Sequence, residues 1–562
     1  MEKAEKRRLR PGLVVVLFGA IVVIFLSTFT NNHTEAEDSL HYLALIDHGS
    51  LQDLFSRDHL LYLPLNREFL NLWRAVGYEG GAELPVRILN LLASMTALAF
   101  LYALMGRLKV TAGLRALTVC AVASCYAYWL YTGQCETYIV PLPFILGSLY
   151  GLARIAEDPS RAALSYWIGA SSAVAILFHR QHVLFVPVVV AAYVLMFVSS
   201  RSAISLSRLG RMVLAYVLTC GGVVLPAYLV VAATIKGLHG FHAIFGWIFA
   251  QGFLSIGNFG IKSLVAAAVG LSRAVASNHY LFSFQKVVSV LGRLFPGQSL
   301  REEVFLVRNF PRWESLALAA LTVFLAVCVA SLFVVAVRRR ALSVIFGYPK
   351  NSPVSTYAGQ VLVIYFVAYA AFNTFWEPVN PEFWISTLPI LGGISALVLN
   401  RIFESRFVKV SAALFVILLF GLNLFSGILP QKDPGNDYWF VFNRWEMQNL
   451  HKGDLLISGS GYLSKGYVEY YAKATMFDTA IPLTEAEIWK RYLEVVERVK
   501  PRRIFVSSTL LSPLPEYLSQ FGIGAERSAA IFERLKPFLT PVYSDRMETI
   551  YLYEPGTSAP GP

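Results

Sequence analysis

Hydrophobic positions in this chain fall into long, nearly unbroken runs rather than the two-residue alternation of half-buried strands or the one-sided stripe of surface helices. The first, Pro11 to Thr30, is followed by runs near Leu84 to Met105, Leu114 to Tyr131, Ile139 to Ile155, Leu164 to Leu177, Val183 to Val198 and Met212 to Thr234, then by Leu316 to Val337, Tyr357 to Phe375, Trp384 to Leu399 and Val410 to Ile428. Runs of this kind predict helices crossing ~30 Å of hydrocarbon. The expectation is a polytopic α-helical membrane protein with about eleven transmembrane helices over residues 1–428.

After Leu429 the pattern changes. "GDLLISG" and "RRIFVSS" read as short buried strands, while "TEAEIWKRYLEVVERVK" and "AERSAAIFERLKPFL" read as amphipathic helices, the first opened by a Thr-x-x-Glu capping box at Thr484 and Glu487. Residues 429–562 are expected to hold a small α/β domain, from about Tyr438 to Pro555, with a disordered end in "GTSAPGP". The stretch "SGSGYLSKG" after the first strand lacks the spacing of GxxxxGK[ST] and of GxGxxG, so it predicts a plain strand-to-helix turn.

Composition agrees with the membrane reading, because 56% hydrophobic and 15% charged residues over 562 positions exclude a soluble multidomain protein. The net charge of +12 does not point to nucleic acid, since Lys and Arg lie scattered between apolar runs. They set the topology instead. "MEKAEKRRLR" predicts a cytoplasmic N-terminus and an uncleaved signal anchor. Alternating from there puts "GRLK", "RIAEDPSR", "SSRSAISLSRLGR", "VRRRALSVIFGYPK" and "NRIFESRFVK" inside. Outside are a first loop over 31–83, three short turns, a long loop over 236–313 and the tail, with all ten histidines. The five cysteines lie in or beside apolar runs, which excludes a disulfide framework in the loops or tail.

The outer ends are where the chemistry collects. "TEAEDSLHYLALIDHG" brings Glu35, Glu37, Asp38 and Asp47 together with His41 and His48. Separate spans then contribute Glu136 in "TGQCETY", His179, Arg180 and His182 in "FHRQH", and Glu377 and Glu382 in "FWEPVNPEFW". A single polar group at a helix end ordinarily sits in headgroup water; several clusters on one face argue for a shared site.

These residues resemble the C-type fold of integral-membrane glycosyltransferases, which includes protein O-mannosyltransferases and aminoarabinose transferases. The carriers are an acidic motif in the first outer loop, here "EDSLHY" with Glu37, Asp38 and Tyr42, and a later His and Pro segment, here "DHLLYLPL" with His59 and Tyr62. Ser39 stands where the family has its second acid, which leaves Asp38 and Glu37 as alternative bases. As topology the resemblance covers roughly Pro11 to Ile428. It implies a bacterial inner-membrane enzyme that moves a sugar from a polyprenyl-phosphate donor to a glycan, lipid or protein acceptor on the extracytoplasmic face. Asp38 or Glu37 would take the acceptor's proton. Tyr42, His59, Tyr62, Glu136, His179, Arg180, His182, Glu377 and Glu382 would bind substrate.

A polyprenyl phosphate needs cationic donors near the headgroup plane, and Arg180 suits that role. It also suits snorkelling to lipid phosphate. No spacing matches a metal-ligand motif such as HExxH, so a divalent metal is not expected. "IKSLVAAAVGLSRAV" predicts a helix on or dipping into the outer leaflet, as a gate for a lipid donor or as a surface anchor. A lipid-linked glycan transporter would show internal repeats and midplane charges, and none is found. A non-enzymatic assembly subunit leaves the acidic loop without a reason.

Overall fold

The computed structural model describes residues 11–199, 204–249, 260–294, 300–346, 354–481, 483–513 and 526–554. The flank "MEKAEKRRLR", the end "GTSAPGP" and parts of the Arg-bearing turns, at 200–203 and 347–353, lie outside the described residues. The chain forms two compact units. The first comprises Met1–Thr30, Leu45–Asn278 and Leu316–Leu429; the second comprises Asn31–Ala44, His279–Ser315 and Pro430–Pro562.

Every apolar run becomes helical in the first unit. Seven helices among the described residues are long and apolar enough to cross a membrane, or eight if Ala112–Ser124 and Tyr126–Thr132, bent by 69°, form one span. Helices Pro11–Ser27, Leu142–Glu157 and Leu164–Phe178 are shorter, at 17, 16 and 15 residues. At 1.5 Å per residue the last two reach only about 22–24 Å, below the ~30 Å hydrocarbon thickness that the count of eleven assumed.

The 69° bend shows how a broken apolar helix keeps its backbone satisfied. Cys125 is extended, with φ −61° and ψ 135°, which interrupts the ladder. The Asn423 amide then donates to the Ser124 carbonyl at 2.6 Å and to that of Val275 at 2.9 Å, while its oxygen accepts the Ser277 N–H at 2.6 Å. Without water in the bilayer core such orphaned groups would each cost several kcal/mol, on the order of 2–7. Tyrosines fill much of this interior; among them Tyr128 donates to Ser94 O at 2.8 Å and Tyr193 to Ser165 Oγ at 3.0 Å.

Helix Ile261–Val275 corrects the surface-helix expectation. It buries Ala266, Ala267, Gly270 and Ala274 within the first unit. A Cβ on Gly270 would lie 1.9 Å from the Pro378 carbonyl oxygen, so only glycine allows this approach. The small-residue face packs on the segment Pro381–Thr387 while Ile261, Leu264 and Val265 stay exposed. All five cysteines are free thiols.

In the second unit, the tail builds a five-stranded sheet of order β2-β1-β3-β5-β4. Its strands are β1 (Asp454–Ser458), β2 (Thr475–Asp478), β3 (Arg503–Ser507), β4 (Leu539–Ser544) and β5 (Thr549–Tyr553). β1 runs parallel to β2 and β3, and β5 antiparallel to β3 and β4. Alternation along β1 sends Leu455 and Ile457 to a core with Ile488, Tyr492 and Phe532, and Leu456 to another with Val468, Phe505 and Ile550. Both strands read from the sequence are present. The capping box forms too: Thr484 Oγ1 accepts the Glu487 N–H and the Glu487 carboxylate accepts the Thr484 N–H at 2.8 Å. "SGSGYLSKG" makes the expected turn, entering helix Gly461–Tyr467 at Gly461, whose φ of +87° favours glycine.

Candidate functional site

Within the first unit, helix Leu164–Phe178 ends at His179, whose extended backbone turns the chain into the short helix Arg180–Leu184. The turn anchors to Asp58 twice. The Arg180 N–H donates to the Asp58 carbonyl at 3.0 Å, and its guanidinium pairs with the Asp58 carboxylate at 2.7 Å and donates to the Ile248 carbonyl at 2.9 Å. His179 then lies in a row of rings: His59 at 4.7 Å and Tyr138 at 4.9 Å between centroids, with Tyr138 in turn 5.5 Å from Phe383.

Glu382 closes that row. Asn380 caps its short helix, accepting the Glu382 N–H at 3.2 Å, and the carboxylate accepts Tyr138 Oη at 3.0 Å, Tyr131 Oη at 3.3 Å and Asn380 Nδ2 at 2.9 Å. Tyr62, fully buried at the start of helix Tyr62–Ala75, sits beside Asn90, Cys135 and Glu136. His59, Tyr62, Glu136, His179, Arg180 and Glu382 are thus gathered within one unit, around tyrosines able to hydrogen-bond hydroxyls and phosphate oxygens.

His182 continues the row, its ring 5.8 Å from that of His179. His182 turns inward, its Nδ1 2.9 Å from Tyr369 Oη, while the adjacent Gln181 donates to Asn373. That makes the end of "FHRQH" an attachment to helix Val354–Phe375. Glu377 is exposed on the following turn, where its carbonyl accepts the Asn380 N–H.

The acidic loop belongs to the second unit. Asp38 stands immediately before helix Ser39–His48, half-buried, and both its oxygens are held by phenols: Tyr42 Oη donates to Oδ2 at 2.8 Å and Tyr462 Oη to Oδ1 at 2.9 Å. Glu37 is exposed. Glu35, half-buried, meets the buried His279 Nε2 at 2.6 Å. The backbone at His33 and Thr34 is fastened by Asp437, a fully buried carboxylate that accepts the His33 N–H at 3.0 Å, Thr34 Oγ1 at 3.2 Å, the Phe440 N–H at 3.0 Å and the Tyr467 hydroxyl. Glu302, beneath the Trp439 indole, is pushed well above the usual carboxyl range by burial first and by Glu303 second.

Sequence reading missed Asp58, Tyr131, Tyr138, Tyr462 and Asp437. Asp58 and Tyr138 lie inside quoted motifs, so adjacency alone pointed to them. Tyr462 and Asp437 pair with residues more than 400 positions away, and no local pattern marks such contacts. Among the described residues no three His, Cys, Asp or Glu side chains converge as a metal cluster.

Residues 72–227 match the family described as dolichyl-phosphate-mannose-protein mannosyltransferase. No curated protein matches the sequence. Among solved structures, ArnT from Cupriavidus metallidurans bound to undecaprenyl phosphate is similar over 99% of this chain and 100% of its own, with TM-score 0.57 and 11% identity. The Archaeoglobus fulgidus oligosaccharyltransferase in its apo form is similar over 97% of this chain and 74% of its own, with TM-score 0.51 and 12% identity. These likenesses carry the fold, which is the C-type membrane-glycosyltransferase fold that the sequence resemblance implied.

Proposed function

We propose that this chain is an integral-membrane glycosyltransferase that moves a sugar from a polyprenyl-phosphate-linked donor to a glycan, lipid or protein acceptor at the extracytoplasmic face. The observation that carries the reading is Asp38: a carboxylate just beyond the first apolar helix, oriented by Tyr42 and Tyr462, in a chain of this fold. An acceptor hydroxyl or amine is a weak nucleophile, and a positioned carboxylate takes its proton as the sugar–phosphate bond breaks. The phosphate leaves with the electron pair of that bond, and the developing charge calls for fixed donors.

The donor class is supported by the mannosyltransferase match and by the undecaprenyl phosphate bound to ArnT. In this reading Arg180 contacts phosphate, while Glu382 with Tyr131 and Tyr138 contacts sugar hydroxyls. The cytoplasmic N-terminus and the tail on the opposite side belong to the same proposal and rest on the distribution of Lys and Arg; a bacterial inner-membrane setting is proposed with them.

The test is transfer of radiolabelled sugar from a polyprenyl-phosphate donor by purified protein. Asp38→Asn keeps the shape and removes the proton acceptor, so transfer is expected to fall ~10²-fold or more. Glu37→Gln is the paired control. Transfer at wild-type rates by both variants and by the double variant would refute the acidic-loop mechanism.

A further inference from the structure

The helix opened by the segment "SGSGYLSKG", which carries Tyr462, is built against the acidic loop. Gly461 takes a φ of +87°, turning the chain straight from β1 into Gly461–Tyr467 and setting Tyr462 on the first turn. Three residues of that helix then tie it to the loop inside the second unit, the last through Asp437. Tyr462 Oη donates to Asp38 Oδ1 at 2.9 Å, and its ring lies 5.6 Å from that of His41. Gly466 abuts the loop so closely that a Cβ there would sit 3.2 Å from Leu40 Cβ. At the far end Tyr467 donates to Asp437, the same carboxylate that accepts the His33 N–H.

We infer that Tyr462 is a positioning residue of the transfer reaction, fixing the Asp38 carboxylate so that the tail's first helix forms part of the catalytic apparatus. The argument is geometric. A carboxylate turns about two side-chain bonds, and Tyr42, one helical turn away, restrains only Oδ2. The second phenol, coming from a different element, removes the remaining rotation. A phenol also suits the task chemically, because it orients a carboxylate by donating a hydrogen bond without itself bringing a full charge. The absence of a side chain at Gly466 lets the backbone of the helix come near enough for this reach.

The inference rests on Asp38 as the base, and the test keeps the two separate. Purified Tyr462→Phe keeps the ring and loses the hydroxyl. It is expected to lower kcat about tenfold, with KM for the lipid-linked donor and thermal unfolding as in wild type. In an Asp38→Asn background the same change is expected to have no further effect, because a residue acting through Asp38 is silent once that carboxylate is gone. Gly466→Val, which drives a branched side chain into Leu40, is expected to reproduce the kcat loss without touching any carboxylate. If Asp38→Asn abolishes transfer but Tyr462→Phe retains the wild-type kcat, the positioning role is overturned and the base survives. If Tyr462→Phe lowers the rate equally with and without Asp38, Tyr462 acts elsewhere and the inference is likewise overturned. If Asp38→Asn transfers at the wild-type rate, the base reading falls and the inference falls with it.

Discussion

Asp437→Asn is a change of one atom type at a site where the arithmetic can be followed. The wild-type carboxylate is fully buried and accepts four hydrogen bonds, two at each oxygen. An asparagine amide can be turned two ways, and both fail. With its NH₂ in place of Oδ2 it faces the His33 N–H; with its NH₂ in place of Oδ1 it faces the Phe440 N–H. The hydroxyls of Thr34 and Tyr467 can rotate to accept, but a backbone N–H cannot reverse. One buried donor is therefore always orphaned, at about 1–3 kcal/mol, and the remaining bonds weaken as the charge is lost, for a total near ~3 kcal/mol. Spread over the local opening of residues 31–44, that is roughly a hundredfold in the opening equilibrium. Hydrogen exchange on the purified protein would read it directly: amides of the acidic loop should exchange ~10²-fold faster while those of β1 and β3 keep their protection. Sugar transfer should fall in parallel, because the released backbone lies four residues before Asp38. Unchanged exchange over 31–44 would show that Asp437 does not fasten the loop and would refute the reasoning.

Two further outcomes concern Arg180 and a buried pair of carboxyls in the tail, Glu446 and Glu548. Arg180→Lys keeps the charge but loses the planar fork that pairs with Asp58, so affinity for a lipid-linked donor should drop about tenfold, and further in Arg180→Ala; equal binding by both variants would make Arg180 an interfacial anchor only. Burial raises Glu446 and Glu548 above the usual carboxyl range, with each also acting on the other, so the folded tail holds protons more tightly than the unfolded chain and this pair favours the fold most at low pH. That contribution is lost as pH rises through the raised values, and Glu446→Gln should lessen the fall in melting temperature as pH rises above the usual carboxyl range, whereas an identical pH dependence would contradict it.

The parts of the fold legible in the sequence are those governed by short-range periodicity. Apolar runs become helices, and β1, β3 and the Thr484–Glu487 capping box lie where alternation and spacing put them. Helix Ile261–Val275 was readable only in part. Its apolar residues at helical spacing, with a few cations between them, suggested a lipid surface, but Ala266, Gly270 and Ala274 recur at the spacing by which small residues let helices approach other backbone, and that stripe is the buried face. The candidate site was legible as residue types and not as partnerships. "FHRQH" draws attention to all its polar members equally, yet Arg180 pairs with Asp58 whereas His182 bonds to Tyr369.

The same distinction resolves the crowding of acids after the first apolar helix. Glu35, Asp38 and Asp47 are not one cluster but three attachments. Glu35 bonds to His279 and so ties residues 31–44 to residues 279–315 within the second unit. Asp47, in the first unit, pairs with Arg74 at 2.9 Å and accepts the Ala82 N–H at 3.0 Å, closing the outer loop just before helix Glu83–Arg107. Asp38 is held by phenols from both sides and lies half-exposed. A carboxylate locked to an imidazole or a guanidinium must break that bond before it accepts a proton, at the cost of a charge-assisted hydrogen bond on the order of 1.5–3 kcal/mol. Phenols orient the Asp38 carboxylate at both oxygens without themselves bringing a full charge. Of these three acids, Asp38 is the one oriented by two phenols, and that orientation depends on the tail as much as on the loop that carries it.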